Sequence, residues 1–188
     1  MPLEGERLLL REERLDDVPF EAGLRNDLET QAWPKALPPD YTEAMYRKRF
    51  EGREFSMDRR EARFIIELKE THEQVGYISY YDLEPRFSVT YGLAVLKKFW
   101  GTGLAAEAQA VLLKFLFVEL GMRVVRLWTT SGNPAMIRLA EKDGFKLSGR
   151  VRQSAFRSGQ LYDGITMDIL REEYFARHPE WADNLPFL

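Results

Sequence analysis

The stretch Leu93-Ala94-Val95-Leu96-Lys97-Lys98-Phe99-Trp100-Gly101-Thr102-Gly103-Leu104-Ala105-Ala106-Glu107-Ala108 decides the fold. It predicts a strand, a turn that carries two glycines, and the first turns of an amphipathic helix. Glycines at such a turn let the backbone approach an anion closely, and the amides of the first helical turn lack helical partners. With the positive end of the helix dipole, they form a cradle for phosphate or pyrophosphate. A turn that needs glycine for its geometry alone is the alternative at this point.

The elements around this stretch predict a mixed α/β (α+β) sheet within a single domain, residues 1–188. Short connections among three successive strands imply antiparallel neighbours, and a later helix between strands implies a crossover. The predicted strands cover residues 8–10, 63–68, 75–81, 87–95, 124–129, 151–156 and 162–170. The predicted helices begin near Asp16, Asp40, Gly103 and Asn133, with a prolyl turn over residues 34–39 and an exposed loop over residues 51–60.

Composition excludes several classes of protein. The 188 residues are 45% hydrophobic and 30% charged with a net charge of −3, which argues against general nucleic-acid binding. There is no cysteine, which excludes disulfides, thiolate metal sites and a cysteine nucleophile. His72 and His178 have no carboxylate or histidine partners at the spacing of metal ligands, so no metal site is predicted. A charged N-terminus and the lack of a long apolar run predict a cytoplasmic protein that does not bind membranes.

Residues 93–108 resemble motif A of the GNAT superfamily of N-acyltransferases. The signature of this motif is Gln/Arg-x-x-Gly-x-Gly/Ala. One register begins at Lys98 and the other at Trp100. The second keeps the usual spacing from the strand that ends at Val95 and is preferred. It also matches Trp-Gly-x-Gly-x-Ala-x-Glu-Ala, a form found in the RimJ/RimL-like branch, which acetylates ribosomal-protein N-termini.

Three further segments are similar to the same family. Residues 133–145 resemble motif B, written Asn-x-x-Ser/Ala-x-x-x-x-Glu-Lys-x-Gly-Phe, and residues 5–11 resemble the opening of many members. Residues 149–153 with Tyr162-Asp163 resemble the end of the RimJ/RimL-like branch. The resemblance implies the GNAT fold, in which helices cover both faces of a mostly antiparallel sheet and a strand–glycine turn–helix unit binds CoA.

The resemblance also implies where acetyl-CoA binds. The backbone of residues 93–95 would bond the pantetheine arm, the amide of Val95 would stabilise the oxyanion, and residues 100–106 would hold the pyrophosphate. Asn133, predicted as a helix N-cap after which Pro134 opens the helix, would also face the cofactor. The implied cofactor-binding residues are Leu93, Ala94, Val95, Trp100, Gly101, Thr102, Gly103, Leu104, Ala105, Ala106 and Asn133.

The family's usual acid and base side chains are replaced at four positions. Trp128 and Ala155 stand where relatives carry Glu, Ala140 where they carry a general-acid Tyr, and Met136 where the RimJ/RimL-like branch carries a Ser. An α-amine, with a pKa near 8, is roughly a quarter neutral at pH 7.5, whereas a lysine amine is only about 0.1% neutral. A chain without a strong base therefore favours an α-amine acceptor.

Tyr91 and Asp163 are the candidates for substitute catalytic side chains, and Tyr80, Thr90 and Tyr162 are weaker ones. Tyrosines on strands also serve simply as core residues whose hydroxyl reaches a polar partner.

These observations predict acetyl transfer from acetyl-CoA to a primary amine, either a protein N-terminal α-amine or a small molecule. Without cysteine, transfer would be direct within a ternary complex. Two alternatives stay open: a small-molecule acetyltransferase for an antibiotic or polyamine, and a regulatory module that binds acyl-CoA without catalysis. Acceptor choice would rest in the loops 31–40, 51–60 and 157–161, and a homodimer is compatible with the sequence.

Overall fold

An eight-stranded sheet runs through the part of the chain that the computed structural model describes, residues 3–30, 42–54 and 60–182. Its spatial order is β1-β2-β3-β4-β5-β6-β8-β7, and only β5 and β6 are parallel neighbours. The prediction of a mixed, mostly antiparallel sheet is confirmed. The strands are β1 (Leu3–Glu4), β2 (Leu8–Glu12), β3 (Ala62–Leu68), β4 (Gln74–Glu84), β5 (Ser88–Val95), β6 (Val124–Thr130), β7 (Lys146–Arg157) and β8 (Gln160–Leu170).

Helices cover both faces of this sheet, as the resemblance implied. They are α1 (Val18–Asn26), α2 (Glu43–Glu54), α3 (Leu104–Lys114), α4 (Pro134–Lys142), α5 (Arg171–Arg177) and α6 (Pro179–Ala182). Glu21 of α1 bonds Arg63 of β3, whereas Leu112 of α3 joins the core that contains Ile66 of the same strand. Residues three apart on a strand face opposite sides, so α1 and α3 lie on opposite faces.

The main core lies between the sheet and α3. Leu104, Ala108 and Leu112 recur on one side of α3, and all three are buried. Burying a leucine of this kind contributes roughly 1.5–3 kcal/mol. Val18, Ala22 and Tyr46 form a second, smaller cluster between α1 and α2.

Several predicted boundaries change in the structure. The long helix keeps its α-helical form only to Lys114 and continues as a π-helical turn, Phe115–Glu119. Residues 51–54, predicted as loop, form the last turn of α2, and β7 begins at Lys146, well before residue 151. The prolyl turn at 34–39 and the helix start predicted near Asp40 fall outside the described residues. No helix in the described ranges is long and apolar enough to cross a membrane.

The pairing of β5 with β6 ends halfway along β5. Partners run from Ser88 and Val124 to Tyr91 and Leu127, and residues 92–95 have no partner in β6. Over its last residues β6 stays paired to β8, as far as Thr130. The two parallel strands therefore separate at their carboxyl ends, and a gap opens between them.

Candidate active site

A cavity of about 1130 Å³ occupies the gap between β5 and β6. Backbone and side chains of Leu93, Ala94 and Val95 line one edge, and Trp128 and Thr129 line the other. The cavity extends to the glycine turn and to the start of α4, and on the opposite face of the sheet to Arg63 and Tyr77. It therefore joins both faces of the sheet through the gap.

Peptide groups of β5 are directed into this gap. The N–H of Leu96 donates to the carbonyl of Val75 at 2.9 Å. This bond shows which alternate residues of β5 turn their N–H and C=O toward β4 and which turn them away. In an antiparallel ladder alternate residues turn their N–H and C=O outward, so Leu93 and Val95 turn theirs away from β4. The indole N–H of Trp100 donates to the outward carbonyl of Val95 at 2.8 Å. The amide of Val95 and both polar groups of Leu93 thus face the cavity.

The glycine turn has the backbone that an anion cradle needs. Gly101 and Gly103 have φ values of +77° and +84°, and Gly103 is the N-cap of α3. The N–H of Glu107 donates to the carbonyl of Gly103 at 3.1 Å, and this is the first bond of the helix. The amides of residues 104–106 consequently lack helical partners. A Cβ built on Gly101 would meet nothing within 4 Å, so this surface has room for a pyrophosphate and fits one.

Asn133 caps α4 at the edge of the cavity. Its side-chain oxygen accepts a hydrogen bond from the N–H of Met136 at 3.2 Å, and Pro134 opens the helix. The predicted cap is confirmed, and both Asn133 and Met136 line the cavity.

The hydroxyl of Tyr91 is hydrogen-bonded within the core. Its side chain is 1% exposed, and its hydroxyl donates to Oε1 of Gln109 at 2.5 Å. Gln109 in turn donates to a carboxylate oxygen of Asp143 at 2.6 Å. Complete burial raises the pKa of Tyr91 well above its ordinary value, and the charge of Asp143 adds to this. The phenol proton is therefore used in a buried chain of hydrogen bonds that connects β5, α3 and the end of α4.

Asp163 lies away from the cavity, at an irregularity in the hairpin of β7 and β8. The register of the two strands shifts between Val151 and Ala155. The carboxylate of Asp163 accepts hydrogen bonds from the N–H of Gln153 at 2.8 Å and from Nε of Arg150 at 2.6 Å. The bond from Gln153 is the main cause that lowers the pKa of Asp163, followed by Arg150. The structure does not bring Asp163 and Tyr91 together.

The weaker candidates lie at three different places. Tyr80 lines the cavity and packs against Phe64, with ring centroids 6.3 Å apart. Thr90 pairs with Tyr81 and Arg126 in neighbouring strands, and the hydroxyl of Tyr162 donates to Gln160 at 2.8 Å.

A second wall of the cavity was missed by the sequence analysis. Nη1 of Arg63 donates to Oε2 of Glu21 at 2.6 Å, and its guanidinium lies 4.3 Å from the ring centroid of Tyr77. Tyr77 shares the cavity wall with Ser79 and Tyr81, the alternate residues of β4. Burial raises the pKa of Glu21 to about 7, although Arg63 opposes this. Tyr77, Ser79 and Tyr81 recur at every second position, and this period of two in residues that carry a hydroxyl was the signal that could have indicated the wall.

Metal chemistry has no support among the described residues, which contain no cluster of three or more His, Cys, Asp or Glu side chains suited to a metal. The chemistry available to the cavity is that of backbone amides, aromatic side chains and a few charged groups.

Known proteins match both the sequence and this architecture. The sequence model of the family described as "Acetyltransferase (GNAT) domain" matches residues 7–146. A prophage-derived N-acetyltransferase of Bacillus subtilis, YokL, is 36% identical over 127 residues, 66% of this chain and 71% of that protein. The N-acetyltransferase p20 of Bacillus licheniformis is 26% identical over 176 residues, 92% of this chain and 97% of its own.

Solved structures share the fold. A spermidine N-acetyltransferase from Vibrio cholerae, in complex with CoA and spermine, superposes with a TM-score of 0.81 at 22% identity, covering 90% of this chain and 98% of that one. A GNAT-family acetyltransferase from Bacillus anthracis gives a TM-score of 0.77 at 22% identity, covering 92% and 100%. The separated strands and the glycine turn agree with the family match. The chain therefore belongs to the GNAT family and is an N-acetyltransferase that uses acetyl-CoA.

Proposed function

We propose that this enzyme acetylates the α-amine of a peptide N-terminus or a small molecule, as a RimJ/RimL-like, cytoplasmic member of its family. The chain would act as one domain, residues 1–188, by direct transfer in a ternary complex. The observation that carries this proposal is the gap between β5 and β6, into which Val95 turns its amide. The gap is open to both faces of the sheet, so donor and acceptor can meet in it.

Each part of the gap has a role in this proposal. Acetyl-CoA supplies a thioester whose C–S bond breaks as the amine nitrogen forms the new C–N bond, and the departing thiolate takes the proton that the amine loses and leaves as the free thiol. The peptide groups of Leu93 would bind the pantetheine arm, and the amides of residues 104–106 would hold the pyrophosphate. The amide of Val95 would stabilise the negative charge that develops on the carbonyl oxygen.

Three side chains considered as a base, Tyr91, Asp163 and Glu67, are engaged elsewhere, which supports reliance on the acceptor's own ionisation. Tyr91 donates to Gln109, and Asp163 is bonded by Arg150 and by a backbone amide. Glu67 accepts from Arg11 at 2.5 Å and lies 3.0 Å from His72. A proton acceptor that is already held by cations is a weak base.

The charge of the cavity wall disfavours a polyamine. Among the described residues the wall carries four basic side chains, Arg49, Arg63 (paired with Glu21), Arg138 and Lys142, and two acidic ones, Glu61 and Asp82. The V. cholerae neighbour was solved with spermine, whose charges are all positive. Like charges repel, so an acceptor with a single amine fits this wall better than a polyamine does.

A homodimer is the assembly that the sheet favours. β7 lies at the end of the strand order and carries the exposed apolar residues Leu147, Val151 and Phe156. An edge strand of this kind is available to pair with a second copy. Light scattering of the purified protein measures the assembly directly.

The deciding experiment is a pH–rate profile with two acceptors whose amine pKa values differ by about two units. Release of free thiol from acetyl-CoA reports turnover, and the panel includes an α-amino peptide, a lysine-type amine and spermidine. We expect kcat/KM to rise along each acceptor's own titration and the α-amine to be the best acceptor at neutral pH. If both profiles rise at the same pH, a side-chain base does the work. The absence of turnover with every amine would favour the regulatory module, and preference for spermidine would favour a polyamine acetyltransferase.

Initial-rate kinetics tests the order of events. Direct transfer predicts intersecting lines in double-reciprocal plots, because both substrates must be bound together. Parallel lines, or acetylated protein trapped without an acceptor, would contradict it.

A further inference from the structure

The Gln or Arg that opens the motif A signature is absent from its position in this chain. Trp100 stands where the signature has Gln or Arg, and its indole N–H is directed to the carbonyl of Val95 at 2.8 Å. The side chain at this position is thus used to organise the end of β5. It brings no positive charge to the glycine turn.

A distant arginine lies at that turn instead. Nη1 of Arg7 donates to the carbonyl of Thr102 at 3.1 Å. Its other terminal nitrogen, Nη2, lies 3.3 Å from the point that a Cβ on Gly103 would occupy. Arg7 precedes β2, and its side chain is 49% exposed.

Glu107 holds this guanidinium in place. Its carboxylate accepts from the N–H of Arg7 at 2.6 Å and from Nε of Arg7 at 2.8 Å. A Cβ on Gly5 would lie only 2.6 Å from the same carboxylate, so the absence of a side chain at position 5 makes room for it. The bonds named so far use Nε and Nη1, and they leave Nη2 beside Gly103.

The charges of Arg7 and Glu107 affect how the glycine turn would bind a phosphate. Glu107 lies in the first turn of α3, where its negative charge would oppose a bound phosphate. Arg7 neutralises that charge and adds a fixed donor. The nearby cations Lys97 and Lys98 are directed to Glu29, at 2.7 Å, and to Glu73, at 2.5 Å. Arginine also presents donors in a rigid fork that matches a phosphate.

We propose that Arg7 binds a phosphate group of CoA, with Glu107 as the residue that positions its guanidinium. Arg7 thereby supplies, from the N-terminal segment, the donor that a Gln or Arg would supply at the position of Trp100. The inference rests on the use of acetyl-CoA by this enzyme, and it adds a binding residue that the motif itself does not contain.

Calorimetric titration of acetyl-CoA into the parent and four variants tests the proposal. We expect Arg7→Gln to weaken binding about tenfold or more, the effect of losing one charge-assisted hydrogen bond, and Arg7→Lys to weaken it less. Glu107→Gln loosens the guanidinium but also removes a negative charge beside the phosphate, so we expect it to weaken binding less than Arg7→Gln does. Lys69→Gln is the matched control, because it removes a positive charge from an exposed ion pair with Glu4 in the same region.

Titration of 3′-dephospho-acetyl-CoA then identifies the phosphate. A penalty for Arg7→Gln that persists with this ligand assigns Arg7 to the pyrophosphate, and a penalty that disappears assigns it to the 3′-phosphate. Both results support the proposal. Circular dichroism and thermal unfolding establish that each variant is folded, and if Arg7→Gln does not fold, Arg7→Lys takes its place in the comparison.

Three results would overturn it. They are parental affinity in folded Arg7→Gln, equal weakening in Arg7→Gln and Glu107→Gln, and equal weakening in the Lys69→Gln control. The second would mean that the pair only shapes the turn. A parent protein that binds no acetyl-CoA would contradict the proposed function itself, which distinguishes that failure from a failure of Arg7 alone.

Discussion

Gly103 meets two demands at one position. Its φ of +84° places it where side chains are rarely tolerated, and its backbone begins α3 at the proposed anion cradle. Gly159 has nearly the same φ, +80°, at the turn between β7 and β8, where a Cβ would meet nothing within 4 Å. The two glycines share a backbone conformation and differ in their surroundings.

The substitution Gly103→Glu should abolish binding of acetyl-CoA. A side chain at this φ costs about 1–3 kcal/mol, and the carboxylate would place negative charge beside the pyrophosphate. Gly159→Glu imposes the same backbone strain away from the cradle and should leave affinity unchanged. Calorimetry measures affinity, and denaturant unfolding measures the strain in both variants. A folded Gly103→Glu variant with parental affinity would refute the assignment of the cradle.

At the scale of elements, a chain of hydrogen bonds links β5, α3 and the end of α4. Tyr91 donates to Gln109, and Gln109 donates to Asp143, at 2.5 and 2.6 Å. Gln109 is fully buried on a helix whose other inward residues are apolar. The link fixes the helix that carries the glycine turn against the strand that carries Val95.

A double-mutant cycle should show that Tyr91 and Gln109 act as a unit. Tyr91→Phe leaves Oε1 of Gln109 without its partner, at a cost of about 1–3 kcal/mol, and Gln109→Leu leaves the phenol unpaired. The double variant should lose less than the sum of the single losses in free energy of unfolding. Urea unfolding provides the measurement, and strictly additive losses would contradict the link.

The same Tyr91→Phe variant tests its candidacy as a catalytic group. Because the hydroxyl is committed to Gln109, we expect kcat to stay close to the parental value. A loss of about 10²–10⁴-fold in kcat at parental acetyl-CoA affinity would instead make Tyr91 the proton donor.

At the scale of the whole molecule, buried ion pairs lie beneath α1. Burial is the largest single influence on the pKa of Asp17 and tends to raise it, but the hydrogen bonds from Arg11 and from the backbone N–H of Arg14, with the charges of both arginines, together outweigh it and lower the pKa. Glu21 behaves in the opposite way, since burial outweighs the effect of Arg63 and raises its pKa to about 7. Asp17 therefore contributes stability that is lost as the pH falls. Glu21 contributes stability that is present at low pH, below its ordinary pKa of 4.5, and lost as the pH rises through about 7.

Between pH 5 and pH 8 the parent should lose stability relative to Glu21→Gln. The folded parent binds a proton at Glu21 that the unfolded chain has released, so its free energy of unfolding falls by roughly 2–3 kcal/mol more than that of the variant. Denaturant unfolding at several pH values gives the two slopes, and the exposed Glu119→Gln serves as the control that keeps the parental slope. Equal slopes in the parent and Glu21→Gln would show that Glu21 keeps an ordinary pKa.

Local signals account for what the sequence determined. The glycines at 101 and 103 predict the turn because glycine adopts positive φ angles without strain. Asn133 with Pro134 predicts the start of α4 because an N-cap and a first-position proline both act within one helical turn. Apolar residues at every second position predicted most of the strands, and apolar residues at a period of 3.6 predicted α3. These periods arise because each element buries only one of its faces. The four replaced family positions could also be identified from the sequence, and they carried the prediction of an α-amine acceptor.

Only the tertiary structure decided how distant groups meet. Arg7 and Glu107 are 100 residues apart, and Glu21 and Arg63 are 42 apart. The partner of Tyr91 and the place of Asp163 depend likewise on how α3 packs and where β7 shifts register. The separation of β5 from β6 arises because β6 stays paired with β8 while β5 stays paired with β4. Such contacts follow from sheet register and helix packing, which many weak interactions set together, whereas a turn or a cap is fixed by the few residues within it.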